Sequence, residues 1–160
     1  MTDHTEPDII VTTDAGGPPR RGAAHERLEM FVGSWDAAGR TFMPSDLTGR
    51  ETYEWLPGGF FLVYRFDRRY GESPHRGMGV FRVDPADQSY SATFYDNLGY
   101  ARDYAVTVDG RRWTLTGPWE RATIEFSEDG QRLDEHWDRS DDGENWLPLC
   151  DFSATRVPSS

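Results

Sequence analysis

The chain has 160 residues and one domain's worth of length, with 17 Lys+Arg against 28 Asp+Glu and a formal charge of −11. A surface that negative repels phosphate backbones and anionic bilayers, which argues against nucleic acid or a membrane as partner. Nine Phe, six Trp and seven Tyr supply enough apolar bulk for a core, so wholesale disorder is excluded.

Residues 1–22 hold Pro7, Gly16, Gly17, Pro18, Pro19 and Gly22 around one short apolar run, Ile9-Ile10-Val11. They read as a flexible tail, or as a lid, ahead of a domain spanning 23–157. The opening Met1-Thr2-Asp3-His4-Thr5-Glu6 is polar and acidic, unlike a signal peptide, so a cytoplasmic protein is expected. In 24–32, Leu28, Phe31 and Val32 fall at i, i+3, i+4, the spacing of a short amphipathic helix.

From Gly33 onward the period becomes two. Ten strands are expected, at 34–43, 48–56, 60–70, 76–84, 88–96, 101–108, 111–117, 120–127, 131–139 and 146–156. Turn signals separate them, including Pro57-Gly58-Gly59, Asp109-Gly110, Asp129-Gly130 and Asp141-Asp142-Gly143. Ten hairpin-linked strands leave two exposed edges unless the sheet closes, so an all-β, antiparallel up-and-down barrel with the short helix capping one end is predicted.

Hairpin registers then assign faces, because a one-residue slip reverses every side chain. Around Asp109-Gly110, Val108 opposes Arg111, Val106 meets Trp113 and Tyr104 meets Leu115. Around Asp129-Gly130, Phe126 pairs with Leu133, Ile124 with Glu135 and Ala122 with Trp137, which puts Glu135 inside and His136 outside. The last hairpin turns Leu133, Trp137, Trp146, Cys150, Phe152 and Ala154 inward. A three-residue loop at Pro57-Gly58-Gly59 sets Phe60, Leu62, Tyr64 and Phe66 opposite Leu56, Glu54, Thr52 and Arg50, and leaves Glu51 with Arg65 on the wet face, together with Tyr53 and Trp55.

The interior so assembled has aromatic walls and a few polar groups. Tyr64, Tyr90, Tyr104, Trp113, Trp137, Phe94 and Leu62 are the candidate ligand contacts for a small apolar or aromatic molecule. Glu135, Glu54 and Tyr64 are the candidate catalytic groups, since a carboxylate on an apolar face must be paired or have a raised pKa. Asp96 with Arg102, and Glu120 with Arg139, are expected as rim or structural pairs, and Cys150 as an inert core thiol.

His4, His25, His75 and His136 show no metal-ligand spacing, and Ser140–Trp146 reads as a polar hairpin turn, because Leu149 stands where a calcium loop needs a bidentate Glu. No metal and no cofactor is expected.

Gly33-Ser34-Trp35 opens the first strand directly after the helix, and Arg156 sits near the end of the last. This resembles the signature of the calycin superfamily of lipocalins and fatty-acid-binding proteins. There a Gly-x-Trp on the first strand is covered by an Arg from the final one, which implies Gly33, Trp35 and Arg156 as a structural set. With Leu56-Pro57-Gly58-Gly59-Phe60-Phe61 and Ser140–Trp146, residues 24–157 resemble a lipocalin-like bacterial family known as a domain of unknown function. The chain is also distantly similar to nitrobindin-type haem barrels, although Asp36-Ala37-Ala38-Gly39-Arg40 departs from their run of small residues. The resemblance implies a ligand-binding barrel. The alternatives are a cofactor-independent cyclase or isomerase, a filled barrel that self-associates as a homodimer, and a haem barrel.

Overall fold

A computed structural model describes residues 17–42 and 45–158. The greater part of the 1–22 tail, residues 1–16, lies outside the described residues. Arg21, near its end, bonds Glu29 at 2.8 Å, donates to the Gly59 carbonyl at 3.0 Å and stacks on Trp55.

The predicted helix forms as α1 (Ala23–Arg27) followed by a 3-10 turn (Leu28–Phe31). Leu28 and Phe31 are fully buried, as their spacing requires. Ten antiparallel strands follow: β1 (Gly33–Thr41), β2 (Asp46–Trp55), β3 (Phe61–Tyr70), β4 (Ser73–Val83), β5 (Tyr90–Asp96), β6 (Ala101–Asp109), β7 (Arg112–Thr116), β8 (Glu120–Phe126), β9 (Arg132–Arg139) and β10 (Leu147–Arg156). Each pairs with its sequence neighbour and β1 pairs with β10, which closes the barrel. No helix among the described residues is long and apolar enough to cross a membrane.

One end is plugged by the 3-10 turn and locked by the predicted signature residues. The Arg156 guanidinium lies 4.2 Å from the Trp35 ring centre and donates to the Met30 and Val32 carbonyls. The Trp35 indole donates to the Phe31 carbonyl at 2.9 Å. Gly33 sits at φ 132°, and a Cβ there would come within 2.6 Å of Arg156 Nη1, so only glycine lets the arginine cross. The outer wall carries cross-strand ion pairs, Asp36–Arg50 at 3.0 Å, Asp67–Arg76 at 2.9 Å and Arg121–Asp138 at 3.0 Å.

The registers correct several expectations. β8–β9 pairs as predicted, with Ile124 opposite Glu135 and Ala122 opposite Trp137. In β6–β7, Val108 faces Trp113 and Val106 faces Leu115, a shift of two residues that keeps the faces unchanged. β2–β3 is shifted by one. Leu56 N–H donates to the Phe61 carbonyl, closing a loop of four residues in which Gly58 and Gly59 take positive φ. Tyr53 therefore opposes Tyr64 and Glu51 opposes Phe66. Glu54 is on the outer wall, paired with Arg65, and Glu51 is buried in its place. Burying Tyr53 and Trp55 rather than Thr52 and Arg50 is what selects this register. Trp146, expected inside, lies in the loop before β10 with Arg121 over its ring.

Candidate ligand-binding site

Inward side chains stack in three tiers. The plugged end is a dry aromatic cluster in which Phe31 contacts Tyr53, Phe81, Trp113 and Phe126. The middle tier is polar and buried. Toward the open end, Tyr64, Phe66, Phe94, Tyr104 and Trp137 form aromatic walls around a cavity that Arg68 also lines, under a collar of Tyr70, His75, Asp96, Arg102 and Glu120.

In the middle tier Arg68, on β3, donates to Glu51 and to the Tyr64 hydroxyl, and Tyr64 donates to Glu51 Oε1 at 2.6 Å. Phe66 and Phe152 flank the guanidinium. Gly49 makes the room, because a Cβ there would lie 2.7 Å from the Arg68 Cα. Burial pushes the Tyr64 and Tyr53 phenols well above their usual range. For Arg68 burial acts downward, but Glu51 and the Tyr64 phenol outweigh it and hold the guanidinium charged. Glu51 Oε2 and Arg68 Nε have no hydrogen-bond partner among the described residues.

Glu135 accepts from the Trp137 indole at 3.2 Å and is pushed up to about 8, first by burial and then by the Glu51 charge. The folded state thus holds this proton more tightly than the unfolded chain does. Its stabilising effect is full below the ordinary carboxylate range and fades as pH climbs toward 8. Glu135→Gln, which keeps the acceptor, is expected to gain stability relative to the wild type as pH rises from 5 to 8. Urea midpoints at the two pH values check this, and a constant difference would remove the assignment.

The open-end cavity has a volume of about 70 Å³ and opens to solvent between the collar residues. His75 Nε2 and Asp96 Oδ2 are 3.1 Å apart. Asp96 also accepts the Leu98 and Tyr100 amides; burial raises its pKa, but these bonds and His75 outweigh it and hold the carboxyl low. Tyr104 donates to Glu120 Oε2 at 2.8 Å, and its phenol is raised by burial and by that carboxylate. Cys150 lines the cavity as a free thiol pushed up to about 12 by burial.

Two expected pairs are replaced. Asp96 partners His75 rather than Arg102, and Arg102 stands 3.8 Å from Glu120. Arg139 is opposite Glu120 in the ladder but bonds Asp141 at 2.7 Å.

Of the predicted ligand contacts, Tyr64, Phe94, Tyr104 and Trp137 meet around the cavity. Tyr90, Trp113 and Leu62 belong to the plugged half, where Tyr90 packs edge-to-face against Trp113 and donates to the Ala24 carbonyl. Of the predicted catalytic groups, Tyr64 is on the cavity wall, Glu135 is behind it and Glu54 is outside the barrel. Arg68 and His75 are site residues outside the predicted set; the alternation Tyr64, Phe66, Arg68, Tyr70 places Arg68 on the inner face, and His75 pairs with it across β3–β4. His136 is on the outer wall between Asp138 and Asp151. No group of three or more His, Cys, Asp or Glu able to hold a metal occurs among the described residues.

A family described as "Protein of unknown function (DUF1579)" matches residues 20–145. Among curated proteins none matches. Among solved structures, Rv2717c from M. tuberculosis is similar at 16% identity and TM-score 0.63, over 87% of this chain and 100% of that one. The S-type phycobiliprotein lyase CPES from Guillardia theta is similar at 12% identity and TM-score 0.59, over 88% and 96%. Zebrafish ileal bile acid-binding protein, solved with cholic acid, gives 14% identity and TM-score 0.49, over 80% and 99%. These likenesses are of fold.

Proposed function

This chain belongs to the DUF1579 family, and we propose that it is a small-molecule-binding barrel taking an apolar or aromatic ligand at its open end. The observation that carries the reading is the division of the interior. One half is filled with interlocked rings, whereas the other keeps an aromatic-walled space open under a collar of polar groups. A barrel needing only stability has no use for that space, and a pocket of apolar walls with a few convergent polar groups is the usual form of a ligand site. We place the protein in the cytoplasm, in keeping with its single, free, buried thiol.

Native mass spectrometry of the protein purified from its own cells tests the reading. The wild type is expected to carry an organic adduct, and Leu149→Trp, which adds bulk to the cavity wall, is expected to lose it. A clean apo mass from both, under conditions that preserve weak complexes, would remove the ligand-binding reading.

A second reading, cofactor-independent proton transfer in an isomerase or cyclase, is favoured by one observation. Asp96 orients His75 at the cavity, as a carboxylate orients a catalytic imidazole. His75→Gln separates the two readings: binding survives it, whereas base-dependent turnover is expected to fall by roughly 10²- to 10⁴-fold.

A further inference from the structure

Two arginines line the cavity, and among the described residues only the Arg68 side chain is hydrogen-bonded. Arg68 is held by Glu51 and Tyr64. The Arg102 side chain makes no hydrogen bond among the described residues; its long ion pair with Glu120 Oε1 spans 3.8 Å, and the Tyr100 ring lies 4.3 Å beneath the guanidinium. Both Arg102 and Glu120 are 24% exposed, so neither is simply a solvated surface charge. Glu120 is positioned through its other oxygen by Tyr104. A planar donor fork and an acceptor oxygen thus stand side by side, too far apart to satisfy each other.

They also stand where the barrel wall is incomplete. β7 ends at Thr116, and its last pairing with β6 is Ala105 opposite Thr116. The first residues of β6, Ala101–Tyr104, therefore have no strand beside them on that side. An outer groove follows this notch past Gly117, Pro118 and the half-exposed Trp119. Arg102, Tyr104 and Glu120 line both this groove and the interior cavity.

We propose that Arg102 and Glu120 read one polar edge of the bound molecule. On the ligand-binding reading above, that molecule is a neutral planar aromatic carrying an adjacent hydrogen-bond acceptor and donor, as a primary carboxamide or a lactam does. Its ring enters the aromatic cavity and its polar edge lies at the notch. The acceptor meets the Arg102 fork, and the donor meets Glu120 Oε1. A carboxylate in the same place would face Glu120, with Asp96 on the same collar, and a bare hydrocarbon would leave both groups unpaired.

The test is an NMR titration of the full chain with benzamide, benzoate and toluene, read at the Trp137 and Trp119 indoles and across the amide spectrum. Benzamide is expected to bind about tenfold or more tightly than either rival, the effect of a hydrogen bond to a charged group. Arg102→Met, which keeps the apolar stem, is expected to reduce benzamide to the level of toluene and leave toluene unchanged. Glu120→Gln, which removes the repulsion, is expected to improve benzoate. Well-dispersed amide spectra of both variants confirm that they fold. If toluene binds but benzamide has no advantage, or Arg102→Met weakens all three alike, the edge-reading pair falls and the binding cavity stands. If none of the three perturbs the cavity, the ligand-binding reading falls with it.

Discussion

Arg68→Met is expected to destabilise the protein by about 3–5 kcal/mol, the scale for removing one partner of a buried ion pair. Glu51 has no exposed surface and takes its hydrogen bonds from Arg68 and Tyr64. With the guanidinium gone, a carboxylate remains in a medium that cannot solvate it, with Glu135 as a second acid nearby. The double variant Arg68→Met/Glu51→Gln is expected to recover much of the loss, because it deletes both charges and leaves Gln to accept from Tyr64. Urea unfolding of the single and double variants measures the coupling. Additive losses would mean that the two side chains do not act as a pair.

Phe31→Ala is the second large expected loss, again about 3–5 kcal/mol, or roughly 10 °C in Tm for a domain of this size. Phe31 is the plug. Four rings, Tyr53, Phe81, Trp113 and Phe126, lie within 5.7 Å of it centre to centre, and it has no exposed surface. The hole left behind would be apolar on every side, and such cavities stay dry and accept benzene. Benzene added to the variant should therefore raise its Tm, while the wild type, with no such hole, should gain less. Equal shifts in both would mean that the plug has collapsed rather than opened.

The fold was legible in this sequence because alternation and turn chemistry agreed. Asp129-Gly130 closes its hairpin in the predicted register, and Glu135 falls inside as its alternation with Leu133 and Trp137 requires. The site was less legible because one loop was a residue longer than its Pro-Gly-Gly core suggests. That single residue exchanged Glu54 for Glu51, the true partner of Arg68. Tyr53 and Trp55 on the supposed wet face carried the warning. The pairing of His75 with Asp96 lay further out of reach, since it joins the ends of two strands across a ladder, and no local pattern announces it.

The seam between β1 and β10 has a consequence in time. Nine of the ten ladders join strands adjacent in the chain, and each needs only a short turn to close before it can zip. The tenth aligns Trp35 with Arg156 and must wait for a loop that takes in nearly the whole domain. Closing it costs entropy that grows only slowly with loop length, but the search comes before the reward. The meander should therefore assemble as an open, curling sheet with two temporarily bare edges, and the arginine latch should engage last. Substitutions at Arg156 would then speed unfolding and leave the folding rate nearly untouched.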